Sequence, residues 1–226
     1  MNVTVEIYHG SEKIITRPEF GSGNPYNDYG PGFYCTETES MAMEWAVGPD
    51  RSGFVSHYSI ECDGLSVLDL NSAGYSILNW LAILINNRKI EMLGPLAGEA
   101  KDYITENFLF DYGSYDIITG YRADDSYFSF VQDFLNGSIS LRQLGNAMNL
   151  GKLGTQFVLK SRKAFERICF LKYEKADCET WYPRRYSRDS AARRHYFDVE
   201  KNRRLRDDVY ITQIMDRGLV SDDLCI

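Results

Sequence analysis

The sequence predicts a mixed α+β domain, and three observations lead there. Alternating runs rich in β-branched and aromatic residues, such as Val3-Thr4-Val5-Glu6-Ile7-Tyr8, recur along the chain and read as strands. Longer helix-type stretches lie among them, including a largely apolar one from Ser72 to Asn87 and a more amphipathic one from Leu96 to Asn107. Aromatic residues make up 14% of the chain, mostly Tyr and Phe, which suits a β-rich or mixed fold with a stacking site. At 226 residues the expectation is one domain with an extension, divided as 1–180 and a basic helical segment 181–226.

The elements follow in order. Val3 to Tyr8 is a strand. Residues 10–29 hold Gly21, Gly23, Asn24, Pro25 and Asn27 and read as a long loop, a length usually reserved for function. Phe33 to Cys35 is a short strand. Thr36-Glu37-Thr38-Glu39 has the capping-box pattern, with Thr36 as N-cap of a helix that runs to about Val47 before Gly48-Pro49. On that helix Thr38, Ala42 and Trp45 share a face. Phe54 to Glu61 and Leu65 to Leu70 read as two strands joined by a Cys62-Asp63-Gly64 hairpin turn. Tyr115 to Tyr121 is a strand leading into Arg122-Ala123-Asp124-Asp125. Ser126 to Leu135 and Ser140 to Leu150 are helices around Gly137. Thr155 to Lys160 and Ile168 to Tyr173 are strands flanking a helical turn, Ser161 to Glu166. A charged helix follows Trp181-Tyr182-Pro183.

Composition excludes several classes. Five cysteines without metal-ligand spacing read as reduced thiols, consistent with a cytoplasmic setting. No N-terminal signal pattern and no apolar run of spanning length is present; the longest, Ile77 to Ile85, is interrupted by Asn79. No His/Cys cluster, G-x-S-x-G elbow or P-loop appears, so no metal is expected. The net charge of −7 is uneven. Arg184 to Arg206 carries nine Lys/Arg against three acids, a balance of +6 that leaves −13 elsewhere. Two readings stand: contact with a nucleic acid or acidic partner, or packing of the basic segment on the acidic body.

The candidate site is carried by Tyr8-His9-Gly10-Ser11 and Gly30-Pro31-Gly32-Phe33-Tyr34. A histidine ending a strand is held rigidly, and the glycine after it lets a ligand approach the backbone. Gly30 and Gly32 are expected to do the same around Tyr34, which makes one wall for a flat polar ligand. His57, inside an alternating strand, reads as a surface or core histidine, and His195, among arginines, as solvated.

These segments resemble the first two motifs of the poly(ADP-ribose) polymerase and diphtheria-toxin branch of the ADP-ribosyltransferases. There a strand His-Gly is paired with a Gly-x-Gly-aromatic-Tyr segment, followed eleven residues later by a second stacking aromatic. Trp45 stands eleven residues after Tyr34, beyond Ser40. The chain also resembles a bacterial family of unassigned function in that superfamily, with a His-Tyr-Gln pattern. Its further motifs correspond here to Ala123-Asp124-Asp125 and Gln156-Phe157-Val158. The resemblance covers residues 1–175.

The resemblance implies a split β-sandwich surrounded by helices, with NAD as substrate in the cleft. His9, Gly10, Ser11, Asp28, Tyr34, Trp45 and Asp124 would contact the donor, and His9, Tyr34 and Gln156 would be the catalytic set. Gly10 would meet the carboxamide, His9 the adenosine ribose, and Tyr34 and Trp45 would sandwich the nicotinamide ring. Glycosidic cleavage then passes through an oxocarbenium-like state that needs electrostatic support. Three positions depart from the branch: Ala42 replaces a carboxamide-binding Ser, Trp45 replaces a Tyr, and Gln156 stands where a Glu is usual. A glutamine holds a hydroxyl but brings no charge to a forming cation; its other reading is a solvent-facing strand residue. Asp124 and Asp125 either supply that charge or cap the following helix.

The expected activity is therefore transfer of a single ADP-ribose to a macromolecule, protein or nucleic acid, by a bacterial toxin or phage-defence effector with an antitoxin partner. The alternatives are a non-catalytic NAD or nucleotide sensor and an NAD glycohydrolase.

Overall fold

A computed structural model describes residues 3–123 and 127–224. Seven strands form one open sheet: β1 (Thr4–Ser11), β2 (Phe33–Thr36), β3 (Gly53–Glu61), β4 (Val67–Asp69), β5 (Ile117–Tyr121), β6 (Thr155–Leu159) and β7 (Ile168–Ala176). Their order is β4-β5-β6-β2-β1-β3-β7, with all neighbours antiparallel except β4 and β5. The fold is α+β.

The joint at the middle of the sheet is narrow. β1 pairs with β3 along its whole length, from Thr4↔Glu61 to Ser11↔Phe54, but meets β2 at the single pair Tyr8↔Thr36. The sheet is thus two ladders, β4-β5-β6-β2 and β1-β3-β7, hinged at one row.

Strand alternation buries both faces. On one face Ile7, Phe33, Cys35, Tyr58, Ile117, Phe157 and Leu159 pack with Ala164 of α6 (Arg162–Arg167). On the other, Ile118 and Val158 pack under α2 (Ile77–Asn87), α3 (Pro95–Phe108), α4 (Phe128–Leu135) and α5 (Leu141–Asn149). A smaller cluster holds α1 (Glu39–Ala46) and the first turns of α7 (Cys178–Asp198) against β1 and β3. The chain closes with α8 (Ile211–Asp216) and α9 (Ser221–Leu224).

Several sequence expectations change here. The turn at Cys62-Asp63-Gly64 exists, with Leu65 N–H donating to the Cys62 carbonyl at 3.0 Å and Gly64 at φ +73°. It makes no hairpin, because the chain crosses to the far edge and β4 pairs in parallel with β5. Thr36 is the last residue of β2 and not an N-cap; its hydroxyl accepts from Thr38 N–H, and Thr38 caps α1 without a side-chain bond. α2 begins at Ile77, behind a Ser76–Asn79 capping box. The charged helix α7 starts at Cys178 behind an Asp177 cap, ahead of Pro183, so position 180 lies inside it. Tyr196 of α7 and Ile211 and Ile214 of α8 are fully buried in the same core as Trp80.

α1 lies unusually close to the strands beneath it. A Cβ at Gly10 would stand 1.9 Å from the Ala42 carbonyl oxygen, and one at Gly53 would stand 2.1 Å from that of Ala46. Both obstacles are helix backbone, which cannot yield as a side chain does. Gly10→Ala is therefore expected to cost about 1–3 kcal/mol by overpacking and to push α1 off β1. A denaturant midpoint unchanged from wild type would contradict this contact.

Cys35, Cys62, Cys169 and Cys178 are free thiols. Among the described residues no helix is long and apolar enough to cross a membrane.

Candidate functional site

A cleft of about 430 Å³ opens where β1 and β2 part, within the roughly 300–1,000 Å³ typical of ligand sites. It gathers His9, Gly10, Asp28, Tyr34, Trp45 and Gln156. Four further cations join them from outside the expected set, Arg88, Arg122 and two from α7.

His9 spans the gap. Its Nδ1–H donates to the Tyr34 carbonyl at 2.7 Å, and its ring lies 4.5 Å from that of Phe33. Burial lowers its pKa despite that bond. The neutral ring that results carries its proton on Nδ1 and its lone pair on Nε2.

Tyr34 uses its hydroxyl locally. It donates to the Gly30 carbonyl at 2.6 Å and accepts from Tyr29 N–H at 3.0 Å, and burial pushes the phenol pKa far up. Gly30 takes φ +73°, and a Cβ there would meet Asn87 Oδ1 at 2.8 Å. One at Gly32 would meet Val158 Cγ1 at 2.8 Å, and one at Gly10 the α1 backbone. The three glycines thus serve packing and turn geometry, and Gly10 also lines the cleft.

Lys160 was not foreseen. Its ammonium donates to the carbonyls of Tyr29 and Pro31 and so clamps the same turn from β6's end. Burial lowers its pKa to about 8.

Trp45 lines the cleft from α1. The Arg122 guanidinium lies over its ring at 3.8 Å from the centroid, and its indole N–H is buried without a hydrogen-bond partner. Gln156 stands in register with Thr36 on β2 and Gly120 on β5. It is only 7% exposed, so it is no solvent-facing strand residue, and its Oε1 is buried without a partner. A buried, unsatisfied carboxamide oxygen at a cleft invites a ligand donor.

Asp28 is buried, accepts from Ala123 N–H at 3.1 Å and faces Arg88 Nε at 3.4 Å. Its visible work is to hold the segment after β5. Ser11 is not part of the cleft lining; its hydroxyl donates to the Lys13 carbonyl. Asp124 and Asp125 lie outside the described residues. His195 is exposed on α7, whereas His57 is buried beneath an edge contact from Tyr8.

The basic segment contributes a wall. Arg185, Asp189 and Arg193 all line the cleft, and their spacing of four puts them on one stripe of α7. Arg188, one residue off that stripe, pairs with Glu44 of α1 at 2.8 Å, while Tyr196 donates to Asp133 at 2.6 Å. α7 is thereby fixed to the body, and its stripe was readable from the i, i+4, i+8 spacing.

Residues 5–170 match the family described as "Protein of unknown function (DUF3990)". The chain belongs to that family. The matched span holds every cleft residue named above except those on α7. No curated protein and no solved structure matches the chain.

The clamp on the Tyr34 turn has a pH signature. Lys160 titrates near pH 8 when folded and near 10.4 when unfolded. Between those values the unfolded chain binds more protons, so this group makes stability rise with pH. The stabilisation it withholds below pH 8 returns above it. Denaturant midpoints of wild type relative to Lys160→Met should therefore increase from pH 7.5 to 9.5; a constant difference would refute the depressed pKa.

Proposed function

We propose that this protein is a NAD-dependent mono-ADP-ribosyltransferase of the split-sandwich type, acting in the bacterial cytoplasm as a toxin or phage-defence effector. The observation that carries the reading is the Trp45 face occupied by a planar cation, in a cleft shared with His9 and the unsatisfied Gln156. The nicotinamide ring of NAD is also a planar cation. A site built to hold one over an indole suits the other, so donor binding exchanges Arg122 for the pyridinium.

The remaining groups fit parts of the same ligand. Arg185 and Arg193 suit a diphosphate, which guanidinium groups bind through charge-assisted hydrogen bonds. His9, held by the Tyr34 carbonyl, suits the adenosine ribose. The Gln156 oxygen suits a hydroxyl donor on the nicotinamide ribose. As the glycosidic bond lengthens, positive charge grows on that ribose, and a neutral carboxamide supports it less than a carboxylate would. The activity expected is a single transfer to a macromolecular acceptor, protein or nucleic acid, with the exposed arginines of α7 available for that acceptor or for an antitoxin.

Gln156 also favours a second reading, a nucleotide sensor that binds NAD without cleaving it. Nicotinamide release from labelled NAD, with and without cell extract, separates the two. Transfer predicts release with label entering protease- or nuclease-sensitive material, hydrolysis predicts release alone, and a sensor predicts binding alone.

The variants have distinct expected effects. Trp45→Ala weakens NAD binding with the fold intact, whereas Tyr34→Ala also frees the Gly30 turn and is the poorer probe. Gln156→Ala loses release. Gln156→Glu keeps or raises it, by about tenfold if a charged hydrogen bond worth ~1.5 kcal/mol more replaces a neutral one. Arg185→Gln with Arg193→Gln raises the Kd for NAD by about 10–100-fold and leaves binding of the N-methylnicotinamide cation, a pyridinium without phosphates, unchanged. Wild-type release in Gln156→Ala would remove Gln156 from the site.

A further inference from the structure

We propose that Glu39, His57 and Glu174 form a binding site for a first-row divalent ion of the zinc type. The donors come from three elements, the first residue of α1, the middle of β3 and the end of β7. One ligand atom from each, an imidazole nitrogen and two carboxylate oxygens, lies within 4.8 Å of the others.

The acidic pair alone would be an ordinary surface feature, since both glutamates are more than a third exposed. His57 is what sets it apart. Its side chain is 6% exposed, and its Nε2 has no hydrogen-bond partner. That nitrogen is aimed at the two carboxylates, at 3.7 Å from Glu174 and 3.9 Å from Glu39. These separations exceed a hydrogen bond but fit two ligands on one ion. With bonds of about 2.1 Å, tetrahedral donors to a common zinc stand about 3.4 Å apart, so the half-exposed carboxylates need to close on His57 by only a few tenths of an ångström. Tyr8, packed edge-on against the imidazole at 4.9 Å, holds the ring in that orientation.

The donor set selects the ion. An imidazole nitrogen suits zinc, cobalt or nickel, and magnesium and calcium prefer oxygen alone. Three protein ligands at a half-exposed rim leave a position for water. One competitor is present: the Lys172 ammonium sits 2.5 Å from Glu174 Oε1 and holds that carboxyl below its usual pKa. Removing it should free the oxygen for the ion.

The test needs no NAD, so it stands apart from the proposed activity. Chelator-treated full-length protein is titrated with Zn²⁺, and separately with Mg²⁺, by calorimetry at neutral pH. Wild type should bind one Zn²⁺ and no Mg²⁺, and Zn²⁺ should raise its melting temperature. His57→Gln, Glu39→Gln and Glu174→Gln should each weaken Zn²⁺ binding at least tenfold and abolish the thermal shift. Lys172→Met should tighten it. The two glutamates are half-exposed, so their variants keep the test sharp if His57→Gln fails to fold. No saturable Zn²⁺ binding, or an isotherm unchanged across the three ligand variants, overturns the proposal.

Discussion

The bond from His9 Nδ1 to the Tyr34 carbonyl is the constraint on which the site depends. β1 and β2 share one ladder pair, Tyr8↔Thr36, and then part. Continuing the ladder would have closed the cleft; ending it with nothing would have left the two half-sheets free to shear. An imidazole reaching across at 2.7 Å does neither. It replaces a main-chain hydrogen bond with a longer side-chain one, so the strands remain tied while standing apart. The bond also fixes the ring's tautomer, because a carbonyl only accepts. Burial keeps the ring neutral, so the tie survives without a counter-charge.

The cleft's walls follow from backbone contact rather than side-chain recognition. α1 sits on Gly10 and Gly53 so closely that no Cβ is tolerated there, and that proximity brings Trp45 to the rim. Arg188 then pins α7 to α1 through Glu44. Across the cleft, the Tyr34 turn is locked from inside by its own phenol and from outside by Lys160. Each wall is thus set by groups that never need to touch a ligand, which leaves Gln156 and Trp45 with unsatisfied polar atoms. Such atoms are tolerated where a ligand or water completes them.

What was legible in the sequence divides along physical lines. Strand β1, the helices α2, α3 and α5 and the pairing of His9 with Tyr34 could be read from local periodicity and motif, whereas the closeness of Trp45 and Gln156 to them was implied by the resemblance. The glycines stand out in the sequence, but their close packing does not: a sequence tells that a Cβ is missing, not what fills its place. β4 was read as half of a hairpin because a turn signal at Gly64 says nothing of where the chain goes next. The Arg185, Asp189 and Arg193 stripe of α7 is legible in its spacing, but that it faces the cleft is not. Lys160 and the Glu39–His57–Glu174 trio are invisible to spacing, since their members meet only through tertiary packing.

On the proposed function, the balance of charges decides which contacts supply affinity. The chain is acidic, yet Arg122, Arg185 and Arg193 line its cleft. Before NAD arrives, Trp45 already stacks on Arg122 at 3.8 Å. Binding the pyridinium therefore exchanges one cation–π contact for another, and the net gain is far smaller than the ~0.5–2 kcal/mol such a contact is worth when made anew. The affinity must come from elsewhere, and the released Arg122, together with Arg185 and Arg193, faces a ligand that carries a diphosphate. On this proposal the stacking site acts as a selector, disfavouring rings without positive charge because they cannot repay the displaced guanidinium. A nucleotide with the diphosphate but no pyridinium would keep the arginine contacts and leave Arg122 on Trp45. On this proposal the two halves of the site divide the work, with α7 supplying affinity and α1 supplying discrimination.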